Sequence, residues 1–273
     1  MKRFLNILLV LALVAGLSLL LYPTVSDYWN SLHASRAVAS YDEAMQSMDS
    51  GQYDALLQSA QRYNRALFLN GSLFALTDEQ REDYTNQLRI DSSGIMGYIE
   101  IPTIKVSLPI YHGTSDDVLQ VAVGHLEWSS LPVGGESSHC VLSGHRGLPS
   151  AKLFTNLDQL SEGDLFVIRT LDEVLTYEVD RILIVLPGEV QALAIEEGKD
   201  LCTLVTCTPY GVNSHRMLVR GHRVENQSEA VRLTADAIRI DPLIVAPIAA
   251  IPILLVLLLL LTVTPGKKRR GGA

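Results

Sequence analysis

Apolar runs stand at both ends of this chain, and between them the pattern of apolar and polar positions changes character once. Phe4 to Tyr22 is almost uninterrupted apolar sequence after Lys2 and Arg3. Pro242 to Thr264 is a second run without a charge, followed by Lys267-Lys268-Arg269-Arg270. As a helix rising 1.5 Å per residue, each run is long enough to cross a hydrocarbon core of about 30 Å. A cleaved signal peptide is the rival reading of the first run, with Ala37-Val38-Ala39 as a small-x-small site. The run is longer than a usual signal core and that site lies well beyond its end, so the sequence favours an uncleaved anchor.

Ser31 to Asn70 reads as two helices. The second places Tyr53, Leu56, Leu57, Ala60 and Leu67 close to an i, i+3, i+4, i+7 pattern, and Asp49-Ser50-Gly51 supplies the break and the cap. After Gly94 the period shortens. Met96–Ile101, Val106–Ile110, Val141–Ser143, Leu165–Thr170, Leu175–Val185, Cys202–Thr206 and Met217–Arg220 read as short strands between turn signals, a spacing that suits a compact β-barrel or sandwich.

Charge sets the topology. Both basic flanks belong on the cytoplasmic side by the positive-inside tendency, which puts residues 23–241 outside the membrane. That segment holds all 30 acidic residues, whereas six of the 22 Lys and Arg lie in the flanks. Phosphate contacts need a basic face, so nucleic-acid binding is not expected. The acidic balance serves solubility, with steering of a basic partner as the alternative.

The chemistry concentrates at strand ends. Cys207 closes Leu201-Cys202-Thr203-Leu204-Val205-Thr206-Cys207, Arg216 follows nine residues later, and His145 comes just after Val141-Leu142-Ser143-Gly144. A thiolate attacks carbonyl carbon well, and an imidazole can protonate a departing amine and deprotonate an incoming one. Arg216 keeps its charge at working pH, which suits an oxyanion or a substrate clamp. Thr206 and Thr208 are further candidates to lend a hydroxyl or backbone N–H at the oxyanion. His125 reads as structural or as part of a loop lining the groove; Arg220 and Arg223 read as surface residues. The Cys and His spacings do not suggest a metal site, no acidic loop of the EF-hand kind is evident, and no cofactor is expected.

These residues resemble the sortase family of cysteine transpeptidases. Thr203-Leu204-Val205-Thr206-Cys207 is similar to its TLxTC signature, Ser143-Gly144-His145-Arg146-Gly147 to its histidine motif, and Arg216 to its catalytic arginine. The similarity runs from about Met96 to Arg223, and Thr208-Pro209-Tyr210-Gly211 with Asn213-Ser214-His215-Arg216 is most like class C, the pilin polymerases. The resemblance implies a mainly β fold: a sortase-like closed β-barrel with short helices, preceded by a helical segment and flanked by two transmembrane helices. It implies cleavage of an LPXTG-like sorting signal through a thioester at Cys207, with His145 as acid and base and Arg216 at the oxyanion. The acyl group would pass to an amine such as a pilin lysine, in pilus assembly at the cell wall. A housekeeping anchoring sortase, a membrane-tethered cysteine hydrolase and a non-enzymatic wall scaffold are the alternatives.

The expected organisation is residues 1–3 cytoplasmic, 4–22 anchor or signal-anchor, 23–95 an extracytoplasmic helical segment and possible lid, 96–225 the catalytic barrel, 226–241 a linker, 242–264 a second span in the lipid bilayer, and 265–273 a basic cytoplasmic tail. One departure from class C stands out. No Asp-Pro-aromatic lid motif lies between Asn70 and Met96, since Asp78 is followed by Glu79. Residues 71–94 therefore form a lid of different chemistry or leave the groove open. Cys140 and Cys202 each lie five residues before their motif residue, so both should face away from it. If their strands are parallel neighbours, as the resemblance implies, the two sit nearly level. They are then either a buried apolar pair or a cross-strand disulfide, with Cys207 left as the unpaired thiol.

Overall fold

The computed structural model describes residues 2–71 and 76–226. The expected second span and the basic tail lie outside the described residues.

Helix α1 runs from Lys2 to Gln46, where the sequence suggests an anchor followed by a separate helix. Pro23 lies inside it. Among the described residues α1 is the helix long and apolar enough to cross a membrane, with a mean hydropathy of 2.7 over its most apolar window. Helix α2 (Ser50–Asn70) starts where the sequence places it: Asp49 caps it, its carboxylate accepting from Gln52 N at 2.8 Å. Helix α3 (Asp78–Asn86) opens with a capping box between Thr77 and Gln80.

From Tyr28 onward the chain forms a compact unit of its own, built on eight strands. These are β1 (Ile95–Ile101), β2 (Val106–His112), β3 (Val123–His125), β4 (Ser138–Ser143), β5 (Leu165–Thr170), β6 (Glu173–Val185), β7 (Asp200–Thr208) and β8 (His215–Arg223). They close into a barrel in the order β1-β2-β3-β4-β7-β8-β6-β5. β3 is the strand the sequence pattern misses. Three residues are too few to show alternation, and its pairing with β2 and β4 makes it a strand.

Alternation sorts each strand's side chains. Met96, Ile99, Ile110, Leu142, Phe166, Tyr177, Cys202, Leu204 and Val219 belong to the main core, and Phe154 and Leu157 from the long β4–β5 connection join them. On the other face of the same strands, Val141, Val205 and Leu218 pack with Leu193, with Leu126, Trp128, Leu183 and Val185 around them. β4, β7, β8 and β6 are thus apolar on both faces.

The helices are fastened to the barrel by polar anchors as well as by apolar contact. Tyr41 of α1 donates to Met96 O at 3.1 Å and accepts from Leu171 N at 2.7 Å. Asn64 of α2 takes both backbone groups of Leu131, donating to its O at 3.1 Å and accepting from its N at 2.7 Å. Tyr84 of α3 is buried, and its hydroxyl accepts from Gly113 N at 2.9 Å. Arg81 makes a forked pair with Glu127 at 3.1 and 3.0 Å. Thr77 to Gly94, much of the possible lid, is therefore bound to the barrel through Arg81, Tyr84 and buried Leu88. Of the remainder of that stretch, residues 72–75 lie outside the described residues.

Candidate active site

Cys207 lies next to the last residue of β7, and register decides its neighbours. β7 runs antiparallel to β8 with Cys207 directly opposite Arg216, and parallel to β4 with Val205 opposite Ser143. His145 follows β4 by two residues. The three candidates therefore share one end of three adjacent strands. Cys207 is half-buried between the buried Thr206 and Thr208, so alternation puts its thiol on the face it shares with Val205.

The turn that carries His145 is tied to β7 residue by residue. Gly144 N donates to Val205 O at 3.1 Å, and Thr206 Oγ1 donates to Gly144 O at 2.8 Å. Gly144 has no room for a side chain, since a Cβ there would come within 2.7 Å of the buried Phe154 ring. Phe154 N in turn donates to His145 O at 3.2 Å. Gly147 takes a left-handed φ of 75° that favours glycine, and its N donates to Thr155 Oγ1 at 3.1 Å. Half-buried, the His145 imidazole sits on a turn anchored at both ends.

Arg216 is aimed by its own hairpin. Its Nη1 donates to Asn213 O at 3.2 Å and to His215 O at 3.1 Å. Among the described residues no carboxylate forms an ion pair with it. A cation opposite a thiol, with its charge not neutralised by a carboxylate, can hold the oxyanion that forms on a carbonyl oxygen when that sulfur attacks its carbon. Val205, Val141 and Leu218 continue the same face as a buried apolar layer packed with Leu193.

Several sequence readings change here. Thr206 points inward, 1% exposed, and its hydroxyl proton goes to Gly144 O, so it has none to offer an oxyanion. Thr208 is also buried, and its hydroxyl accepts from Arg146 Nη1 at 3.4 Å. Arg220 is not a surface residue. It is buried against Asp180, at 3.0 and 2.6 Å, and Glu196, at 2.7 Å. Burial acts to raise the Asp180 carboxyl, but the Arg220 guanidinium outweighs it and holds the group below the usual range. Arg223 donates to Val174 O at 3.0 Å and lies over the Tyr177 ring. These partners sit 24 to 62 residues away along the chain, so no local pattern announces them.

His125 is structural. It is fully buried, its Nε2 donating to Ser130 O at 2.8 Å and its Nδ1 accepting from Tyr84 at 3.0 Å. Cys140 and Cys202 are level in the parallel β4–β7 register and buried, and both are free thiols, the apolar-pair alternative. Burial pushes the Cys202 thiol well above the ordinary cysteine range. Cys207 stands apart on the opposite face, also free.

Comparison with known proteins agrees with this architecture. The family model of the Sortase domain matches residues 99–224. Sortase C1 from Streptococcus agalactiae is 52% identical in sequence, with a TM-score of 0.69 over 70% of this chain and 100% of that one. A sortase C from Clostridium perfringens, solved with the C-terminal cell wall sorting motif, is 42% identical with a TM-score of 0.63, over 71% of this chain and 100% of that one. Sortase D of Bacillus subtilis is 33% identical over 131 residues, 47% of this chain and 63% of that relative. The chain spans less than two thirds of the length of the curated relatives it matches. With the family model matched over residues 99–224 and 52% identity to a solved sortase C1 across the whole of that chain, this chain belongs to the sortase family.

Proposed function

We propose that this chain is a membrane-anchored cysteine transpeptidase of the class C kind, which cleaves an LPXTG-like sorting signal and joins it to an amine, a lysine of a pilin subunit. The observation that carries the reading is the rung Cys207–Arg216 on β7 and β8, with the His145 turn hydrogen-bonded to β7 beside it. The similarity to sortase C structures from two genera supports the class.

The chemistry follows from the positions. Cys207 Sγ, as thiolate, attacks the carbonyl carbon of the signal's Thr–Gly bond, and the carbonyl electrons move onto oxygen. Arg216 donates to that oxyanion; one well-placed donor contributes roughly 2.7–4 kcal/mol in comparable sites. As the C–N bond breaks, His145 gives its proton to the leaving amine, and a thioester remains on Cys207. A lysine amine then attacks the thioester carbonyl and loses its proton to His145. Sulfur leaves, and an isopeptide bond joins the two chains. Helix α1 suits a membrane anchor that keeps the site where secreted proteins emerge.

The test incubates the full chain in detergent with a sorting-signal peptide and a candidate pilin, followed by mass spectrometry. An acyl adduct on Cys207 and a peptide–lysine isopeptide bond are the expected products. Hydrolysed peptide alone under excess amine would sink the polymerase reading, and an unchanged rate in Cys207→Ala would sink the enzyme.

A further inference from the structure

The residues on either side of His145 are each bonded to the residues on either side of Cys207. Gly144 O accepts from Thr206 Oγ1 at 2.8 Å, and Arg146 Nη1 donates to Thr208 Oγ1 at 3.4 Å. Two pins thus bracket the thiol and the imidazole. The first joins a hydroxyl to the backbone. The second joins two side chains, and on the His145 turn the one that makes it is Arg146.

That side chain is held from three directions. Arg146 Nη2 forms an ion pair with Asp158, in the turn that follows the buried Phe154. Its guanidinium carbon lies 6.0 Å from the centre of the Tyr210 ring, within cation–π reach, and Tyr210 follows Thr208 by two residues. The Arg146 side chain is 9% exposed, and its Nε is buried without a hydrogen-bond partner. A buried cation with an unpaired N–H is poor value for stability, because its desolvation offsets most of what the pair contributes. The arrangement makes better sense as geometry. A planar fork reaching from the His145 turn to both Asp158 and Thr208 fixes the distance between that turn and the end of β7.

We infer that Arg146, aimed by Asp158, is a positioning residue that sets His145 against Cys207 for the acyl-transfer step. The inference rests on the function proposed above. It acts through the imidazole and touches no reacting atom. Displacing a reacting group by about 1 Å costs roughly a hundredfold in rate. Arg146→Ala should therefore lower kcat for peptide cleavage by about ten- to a hundredfold with KM within about twofold. Arg146→Lys should not rescue it, since an ammonium cannot span both partners. Asp158→Asn should lower kcat less, and the Arg146→Ala/Asp158→Asn double variant should be no slower than Arg146→Ala alone.

The test uses the full chain in detergent at 25 °C, with rates normalised to folded protein by near-UV circular dichroism. A second readout needs no substrate: the rate at which iodoacetamide alkylates Cys207 at fixed pH, read by peptide mass. Alkylation of the thiol needs a base to take its proton, and a displaced imidazole serves less well, so Arg146→Ala should slow alkylation several-fold. Equal alkylation rates in wild type and Arg146→Ala would overturn the inference whatever the substrate proves to be. So would an unchanged kcat, or a raised KM with kcat intact, which would place Arg146 in substrate binding. A wild-type chain that forms no acyl adduct would instead overturn the proposed function, with the alkylation comparison still deciding the role of Arg146.

Discussion

Replacing Thr206 by valine asks how far the strand that carries Cys207 also holds His145. Thr206 is 1% exposed, and its hydroxyl donates to Gly144 O at 2.8 Å. Valine keeps the shape, the β-branch and the strand preference, so packing on β7 should persist. What is lost is one hydrogen bond, and a buried carbonyl is left without that donor, at a cost of about 1–3 kcal/mol. With a urea slope of about 2 kcal/mol per molar, the unfolding midpoint should fall by about 0.5–1.5 M with the slope unchanged. Activity should fall further than the folded fraction does, because Gly144 precedes His145 and a small shift of the imidazole costs rate steeply. Urea titration by tryptophan fluorescence, with peptide cleavage measured at zero urea, reads both effects. Thr206→Ser keeps the donor and should recover most of each. A Thr206→Val midpoint within about 0.2 M of wild type, with unchanged turnover, would refute the pinning of His145 by β7.

Other outcomes follow from the same geometry. Asn64→Ala leaves the N–H of fully buried Leu131 without its acceptor, while Leu131 O keeps Val133 N at 2.8 Å, and should lower unfolding free energy by roughly 1–3 kcal/mol in a denaturant titration. His139 is buried between Ala194 O at 2.8 Å and Thr203 Oγ1 at 2.7 Å, and burial lowers its pKa below the ordinary histidine value. The unfolded chain then binds a proton more readily, so stability should fall as pH drops below about 6.5 and level off below the folded value. A melting-temperature series from pH 8 to 5 should show that slope, reduced in His139→Gln; equal slopes in the two would contradict it. Thiol titration should find three reactive cysteines in the denatured, unreduced chain and one, Cys207, in the native chain. A Cys140–Cys202 cross-linked peptide would contradict that count.

Much of this architecture is legible before folding because it is local. The break at Asp49-Ser50-Gly51 is cap chemistry, and Asp49 does bond Gln52 N. Alternation from Leu201 to Cys207 separates Cys202 from Cys207 by face. The motifs likewise single out Cys207, His145 and Arg216 from their neighbours. Arg220 shows where the pattern fails: on a strand it reads as one more solvated arginine, yet its partners Asp180 and Glu196 come from β6 and a distant turn. Arg146 is similar. Nothing in its neighbourhood along the chain points to Thr208, sixty-two residues on.

By itself, then, the sequence determined where α2 starts, the face on which each strand residue lies, and which thiol, imidazole and guanidinium are candidates for chemistry. Tertiary structure alone decided the closed strand order, the short β3, the rung that sets Cys207 opposite Arg216, and the pins from Thr206 and Arg146 that hold the His145 turn to β7. The division has one cause. Caps, periodicity and strand alternation are set by residues a few positions apart, whereas register and buried polar pairing exist only after distant segments have closed on each other.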